Sequence, residues 1–300
     1  MKKKILVATV LSAVLVGGVS LKIYADNDGY ELYKEAIIKT HTLNSTTMKV
    51  ESTVKDNDTT INQIEMEVKY NLQQKLMQGN AAMDMEGENQ SFDLAYQNNG
   101  FYIKNSDQDV NYLVKDAKSQ AEKKEDFKSI HNPELMRIME HVFDALTVSV
   151  HDDFKVINKE QGQKEIDVDL DNGDIPVVFR EIGQYMVKKG TKAHENVTMK
   201  TTEYPFLSAD IISNMPAFVS DIQIDKVKVK AIITKDSIIK NQTFLMQISG
   251  KDQQGKKHEL EIHMKVDNHD MNQTKLDSVK IDKNKQILLD HSPLQEAHHF

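Results

Sequence analysis

Apolar and polar residues alternate along several segments of this chain, and this period of two most limits how the chain can fold. In residues 64–72, every second residue from Ile64 onward is apolar and the residues between them are polar. The same alternation returns in residues 258–266. This pattern is typical of strands with one buried face and one solvated face. It predicts a largely antiparallel sheet.

Weaker forms of the pattern place further strands along the chain. They are expected near residues 48–54, 81–85, 92–96, 101–103, 112–114, 154–158, 166–170, 227–233 and 244–248, with a further edge strand through Leu276, Val279 and Ile281. Short polar links such as residues 56–58 and 87–89 favour sequential hairpins. No segment resembles a crossover between parallel strands.

Three stretches change to helical spacing. The first, residues 30–43, places Leu32, Ala36, Ile37 and Leu43 near one face. The second begins at Asn132-Pro133, a good start signal for a helix, and carries an apolar stripe from Leu135 to Leu146. The third begins near Asp174, ends near Gly190 and carries Ile175, Val178, Phe179, Ile182 and Met186 on its apolar stripe.

No linker rich in Pro, Gly or Ser divides the chain, so residues 26–290 are expected to form one domain. The predicted fold class is α+β, with a large curved antiparallel sheet (an incomplete barrel) and amphipathic helices packed on its concave face. Residues 291–300 have no pattern and are expected to form a flexible tail.

The N-terminus carries a targeting pattern. Three lysines precede an apolar run over residues 5–21, and Ile23 and Ala25 come before a polar segment. These parts are typical of a secretory signal peptide covering residues 1–25, although an uncleaved membrane anchor is the alternative. Either interpretation places the remainder outside the cytoplasm, either secreted or in the cell envelope.

Charge and composition argue against several classes of function. The 38 basic and 46 acidic residues give a net charge of −8, which disfavours nucleic acid as a partner. No cysteine is present, so disulfides and thiolate metal sites are excluded. Neither a nucleophile motif nor a phosphate-binding glycine loop occurs. The chain is therefore predicted to be non-enzymatic, with no cofactor.

Two acidic or histidine-rich segments resemble metal sites only in part. Residues 167–174 have glycine one place too late for a calcium loop, and Val178 stands where its final acid belongs. His258, His263 and His269 are close in sequence, but His258 and His263 fall on opposite faces of a strand. The histidines are therefore interpreted as exposed strand residues, and no metal site is predicted.

Methionine on the apolar sheet face is the most distinctive feature. Unbranched, polarisable methionine suits a surface that accommodates variable apolar ligands, although such residues also fill ordinary cores. The predicted ligand-binding residues are Met48, Met66, Val68, Met83, Met85, Leu94, Tyr96, Met139, Phe143, Phe179, Met246, Ile248, Ile262 and Met264. Whether they line a cavity or a packed core stays open at this point.

The order of elements resembles the LolA-like (lipoprotein-carrier-like) superfamily of bacterial envelope proteins. The opening residues 30–36, the helix start at 174–176, and residues 248–260 are similar to uncharacterised secreted proteins of Gram-positive bacteria. The resemblance implies an incomplete barrel that is closed by helices around a cavity for lipid or acyl chains. The lipidated cysteine of tethered members is absent, and both arginines, Arg137 and Arg180, lie on predicted helices. No functional residue is therefore carried over.

Two functions remain as hypotheses. The first is an extracytoplasmic binding protein that holds a lipid-like or other apolar ligand in a groove between sheet and helices. The alternative is a cell-envelope module with a packed core and no ligand, whose partner is another protein. In both hypotheses, only the N-terminal segment contacts the membrane.

Overall fold

A computed structural model describes residues 29–85, 88–98, 100–115, 144, 147–181, 183, 184, 216 and 218–289. The predicted signal peptide at 1–25, most of the helix at 132–146, the later part of the helix from 174, and the C-terminal tail lie outside these residues. Within them, twelve strands form one sheet, which is not closed into a barrel. The predicted α+β fold with a large antiparallel sheet is confirmed.

One helix, α1 at Gly29–His41, precedes the sheet. The strands are β1 Ser45–Asp56, β2 Thr59–Asn71, β3 Leu76–Met85, β4 Glu88–Gln97, β5 Gly100–Asn105, β6 Asn111–Lys115, β7 Lys155–Asn158, β8 Lys164–Asp171, β9 Ser220–Ile233, β10 Ile239–Lys251, β11 Lys257–His269 and β12 Gln286–Leu289. Short 3₁₀ turns occupy Val148–Asp153, Glu160–Gly162 and Lys283–Lys285.

Two antiparallel meanders, β1–β6 and β7–β11, make up the sheet. They join where β1 pairs with β11 over ten residues on each strand, from Thr47 opposite His269 to Asp56 opposite Leu260. The short strand β12 adds to the edge by pairing in parallel with β6. The strand order is therefore β12-β6-β5-β4-β3-β2-β1-β11-β10-β9-β8-β7.

The two faces of the sheet differ in chemistry. One face, called the charged face below, carries ion pairs such as Lys230–Asp167, across two strands at 3.0 Å, and Lys265–Asp267, along one strand at 2.8 Å. The opposite face, called the helix face, carries Ile166, Val168 and Ala231, which are buried in one cluster with α1. The alternation in the sequence therefore corresponds to one apolar face and one solvated face.

Helix α1 packs on the β8–β10 part of the helix face. Its buried side includes Tyr30, Tyr33, Ala36 and Ile37. Gly29 permits this approach, because a Cβ at that position would lie 1.9 Å from the carbonyl oxygen of Phe154. The predicted stripe is partly wrong: the two tyrosines belong to it, while Leu43 is buried after the helix ends.

The prediction for the third helix is also partly wrong. Helical residues occur at 177–181, 183 and 184, but Val178 is 53% exposed, and Ile175 is buried before the helix begins. Phe179 is half-buried and packs against the cluster that contains α1. The apolar spacing alone did not reveal which side of this turn faces the sheet.

The predicted edge strand through Leu276, Val279 and Ile281 does not form. Residues 270–282, called the strap below, run without strand structure from β11 towards β12. Side-chain amides stabilise the strap: Gln97 donates to the carbonyl of Val279 and accepts its N–H, both at 2.8 Å. Gln74 holds Leu276 in the same way, at 2.9 and 3.0 Å.

Candidate functional site

The strand register brings the predicted sheet residues onto one surface. Met48 lies opposite Val68, Met246 lies opposite Ile262, and Met83 lies two residues along β3 from Ala81, the partner of Met66. Every predicted strand residue whose side chain is described falls on the helix face by this register: Met48, Met66, Val68, Met83, Leu94, Tyr96, Met246, Ile248, Ile262 and Met264. The side chain of Met85, and residues Met139 and Phe143, lie outside the described part of the chain.

These residues are not equally buried. Ile248 is 2% exposed, and Val68 and Ile262 are 8% exposed, as expected of core residues. The described methionines among them are only half-buried. Ile248 and Ile262 belong to a cluster with Phe218 and Leu260, and Met246 packs against both this cluster and the one that contains α1.

Among the described residues, three separate clusters of buried side chains occupy the helix face. Besides the two already described, a third forms on β4–β6 around Phe92, Ile103 and Tyr112, with Met83 and Leu94 packed against it. The cluster with α1 lies on the β7–β10 side of the face, and the third cluster lies on the β4–β6 side. The cluster around Phe218 lies at one end of β10, β11 and β2, through Ile248, Leu260, Ile262 and Ile61. Away from that end, the strands β1, β2 and β11 cross the face between the first and third clusters.

This middle region carries a half-buried apolar surface, called the central strip below. It comprises Met48, Val50, Ser52, Ile64, Met66, Met264 and Val266. Among the described residues, none of the seven is a member of the three clusters or packs on their buried residues. The strip can therefore bury further apolar area against a ligand or another element.

The sequence-based selection found part of the strip. Met48, Met66 and Met264 were predicted as site residues, whereas Val50, Ile64, Val266 and the polar Ser52 were not. The three apolar residues could have been predicted from the sequence, since each lies an even number of positions from a methionine on the same strand. The prediction gave weight to methionine, so it did not include these residues.

Ser52 interrupts the apolar character of the strip at its centre. It lies opposite Ile64 on β2 and Met264 on β11, with Val50 and Val54 before and after it on the same face. The side chain is half-buried. No hydrogen bond to its hydroxyl occurs within the described ranges of the chain.

A polar cluster lies at one end of the helix face. His258 is 6% exposed, its Nδ1 lies 2.7 Å from Asp56 Oδ2, and its Nε2 lies 3.2 Å from Asp252 Oδ2. The ring of Phe218 stands edge-on to the imidazole, with 6.1 Å between centroids. Phe218 fits there because Gly250 has no side chain; a Cβ would lie 2.3 Å from the phenyl ring.

The interpretation of the histidines as exposed is wrong for His258 and right for His263 and His269. His258 and His263 do lie on opposite faces of β11, as their spacing predicted. Although desolvation opposes it, hydrogen bonds from His258 and from the N–H groups of Lys256 and Gln254 hold the pKa of Asp252 below its usual range. The cluster ties the β10–β11 turn to the end of β1.

A second polar cluster lies at the start of α1. Asp144 accepts hydrogen bonds from the Tyr30 hydroxyl and, at 3.1 Å, from the Lys34 ammonium, which also pairs with Glu31 at 2.9 Å. Burial and the bond to Asp144 raise the pKa of Tyr30. Desolvation lowers the pKa of Lys34, but Glu31 and Asp144 outweigh it and raise that pKa. The mutual pairing of these groups gives the cluster a structural role.

Other potential sites are limited. Over the described ranges, no three His, Asp or Glu side chains are placed to share a metal ion. A polar cavity of about 580 Å³ lies beside the strap, lined by Gln74, Lys75, Leu76, Asn98, Leu276, Asp277 and Ser278. It shares no residue with the central strip. None of the helices within the described residues is both long and apolar enough to cross a membrane.

Comparison with solved structures identifies a likeness to a β-barrel-like protein of the domain of unknown function DUF1849 from Brucella abortus. The two chains are 8% identical, the match covers 75% of this chain and 98% of the other, and the TM-score is 0.20. No protein-family model and no curated protein matches the chain. The chain's own residues therefore carry the functional proposal.

Proposed function

We propose that this protein is an extracytoplasmic, non-enzymatic binding protein that holds an acyl chain against the central strip. One observation carries the proposal. The strip is an apolar surface in the middle of the sheet, and its side chains are only half-buried although buried clusters lie on both sides. A half-buried apolar surface of this kind can bury more area by binding an apolar ligand.

The composition of the strip supports an acyl chain in particular. Three of its seven side chains are methionine, whose unbranched thioether adapts to ligands of variable shape. The residues on either side of the strip in the same rows, Phe244 and Met83, extend the apolar surface across several strands. This row of five strands spans about 19 Å, so a linear hydrocarbon fits along it.

The resemblance to the LolA-like superfamily agrees with this proposal. It implies an incomplete barrel with an apolar cavity, and the chain forms an open antiparallel sheet. The location outside the cytoplasm rests on the N-terminal pattern of residues 1–25 alone. The absence of a nucleophile motif in the sequence is the reason for proposing a binding protein over a hydrolase.

The competing function is a protein-interaction module of the cell envelope. Ile287 and Leu288 favour it, because both are exposed, at 45% and 50%, on the edge strand β12. Exposed apolar residues on an edge strand are suited to pairing with another chain. In that case, the central strip would contribute only to packing.

Alanine substitutions separate the two functions. We expect Met66→Ala to weaken the binding of a fluorescent C16 fatty-acyl probe severalfold while changing ligand-free stability by only about 1 kcal/mol, since Met66 belongs to no buried cluster. Ile248→Ala removes a fully buried side chain and should cost about 2–5 kcal/mol with or without probe. Thermal melts of the full chain with and without probe measure both effects.

Met66→Leu is the matched control, because it retains volume and apolar character and should keep most of the affinity. If Met66→Ala and Ile248→Ala cause equal, large losses in the ligand-free protein, the strip is packed core and the interaction function is favoured. Native mass spectrometry of the gently purified protein gives an independent test, since a binding protein should retain lipid masses.

A further inference from the structure

We infer that the ligand is a neutral acyl ester, and that its carbonyl accepts a hydrogen bond from the Ser52 hydroxyl. This inference rests on the proposed function and adds to it a specificity-determining residue and a chemical class of ligand. It starts from the position of one hydroxyl group within an otherwise apolar strip.

Ser52 stands where the pattern of β1 calls for an apolar side chain. The residues before and after it on the helix face are Met48, Val50 and Val54, and its cross-strand neighbours are Ile64 and Met264. Serine is thus surrounded by apolar side chains in both directions. Valine at this position would match the β propensity and burial of its neighbours better.

Three polar side chains elsewhere on the helix face have partners within the protein. Thr46 donates to the carbonyl of His269 at 2.9 Å, Asn268 donates to the carbonyl of Ile239 at 3.0 Å, and His258 lies between Asp56 and Asp252. Ser52 differs from them, since no side chain or backbone group in the described part of the chain bonds its hydroxyl. Its half-exposed position lets water do so in the free protein.

Ligand binding changes which partner is available to the Ser52 hydroxyl. A chain that covers the strip removes water from Ser52, and a hydroxyl buried without a partner is unfavourable. The backbone on both sides cannot replace the water, because β1 is paired with β2 and β11 throughout this region. The ligand must therefore supply the partner. A carbonyl oxygen meets the need, because the hydroxyl can donate to it.

A neutral carbonyl fits better than a carboxylate. The lysines of β1, β2 and β11 at positions 49, 55, 69 and 265 all lie on the charged face by the register. The strip itself contains no basic side chain that could pair with a buried carboxylate. An ester carbonyl within an acyl lipid carries no charge, whereas a free fatty acid would place its ionised head beside Met264 and Ile64.

Matched ligands test the inference directly. The full chain is titrated with 1-palmitoylglycerol, with 1-O-hexadecylglycerol, which has the same length but an ether in place of the ester, and with palmitate. We expect the ester to bind about three- to tenfold more tightly than the ether, the range of one neutral hydrogen bond. Palmitate should bind more weakly than the ester.

Variants then assign the preference to one hydroxyl. Ser52→Ala should bring the ester down to the affinity of the ether, while Ser52→Thr keeps a hydroxyl and should retain the preference. Thr53→Ala is the matched control, because Thr53 is the next residue and lies on the charged face, opposite Gln63 and His263. A melt of each variant confirms folding.

The results separate the two proposals. Equal binding of ester and ether by the wild-type protein, or an ester preference that survives Ser52→Ala, overturns the role of Ser52 and leaves acyl binding intact. Tighter binding of palmitate than of the ester overturns the choice of a neutral ligand. Failure of all three ligands to bind overturns the proposed function itself, and the inference with it.

Discussion

His258 shows how one side chain can join three parts of the sheet. Both ring nitrogens face carboxylate oxygens, from Asp56 at the end of β1 and from Asp252 in the β10–β11 turn. The imidazole therefore lies between two carboxylates that come from distant parts of the chain. The Phe218 ring beside it belongs to a buried cluster, which links this polar group to the apolar core.

The pairing predicts a specific response to acid. The pKa of Asp252 is lowered in the folded protein. The ionised carboxylate therefore contributes fully to stability above the pKa of the unfolded chain, about 3.9. That contribution is lost as the pH falls through the lower pKa that Asp252 has in the folded protein. We therefore expect Asp252→Asn to reduce the loss of urea resistance between about pH 4 and pH 2, compared with the wild-type protein.

Asp236→Asn is the control for this measurement, because Asp236 is exposed in the β9–β10 turn. It should leave the acid dependence of the urea midpoint unchanged. If the Asp252→Asn protein loses urea resistance in acid as steeply as the wild-type protein, the carboxylate of Asp252 does not contribute in the way its contacts indicate.

At the scale of the element, the strap shows that an extended segment can be held without joining a sheet. Gln74 and Gln97 each offer a side-chain amide in place of a neighbouring strand, so that the N–H and C=O groups of Leu276 and Val279 are paired. Asn71 adds a bond to the carbonyl of Thr274 at 2.8 Å. Buried backbone groups need such partners wherever the ladder is missing.

Amide hydrogen exchange can detect this arrangement. Gln97→Ala removes the acceptor for the N–H of Val279, so we expect that amide to exchange at least tenfold faster, which corresponds to about 1.4 kcal/mol of local opening. Gln78→Ala is the matched control, because Gln78 donates only to the carbonyl of Asp277. Protection of Val279 that survives Gln97→Ala would mean that other contacts hold the strap.

The sequence could predict most strands but not how the remote ones meet. Each strand reveals itself locally, since its apolar residues repeat at every second position. Pairing of β1 with β11 leaves no local pattern, and the strap imitates an edge strand because Val279 and Ile281 alternate with polar residues although neither is paired to a strand. His258 was placed wrongly although it shares the parity of Leu260 and Ile262. The partners that permit its burial, Asp56 and Asp252, are visible only in three dimensions.

For the candidate site, the sequence predicted the correct face of the sheet, but not which residues on that face lie outside the buried clusters. Ile248 and Ile262 are buried in a cluster, whereas Met48 and Met66 belong to none. All four alternate in the same way along their strands. Their difference depends on where α1 and Phe218 pack, which strand periodicity does not record.

At the scale of the whole molecule, the contact between β1 and β11 determines whether the two meanders behave as one unit. Both strands are central, and each pairs on both sides. We expect one cooperative thermal transition, seen together by circular dichroism, tyrosine fluorescence and calorimetry. Glu51→Pro, in the middle of β1, should abolish that transition, because proline removes a ladder hydrogen bond and is not tolerated in central strands.

Lys155→Pro serves as the comparison, since Lys155 is exposed and begins the edge strand β7. Proline is compatible with the first residue of a strand, so this variant should fold and melt near the wild-type temperature. Two separate transitions in the wild-type protein, or a Glu51→Pro protein that still melts cooperatively, would mean that the meanders fold independently.

The same contact has a consequence for the time course of folding. Asp56 and His258, which meet at its end, are separated by 202 residues in the chain. At roughly 5–20 residues per second, the ribosome completes the second strand about 10–40 s after the first. During that interval, β1 is an unpaired edge beside an uncovered row of methionine and valine, the kind of surface from which chains aggregate. Until β11 is available, the first meander therefore keeps an exposed edge that needs protection from other chains.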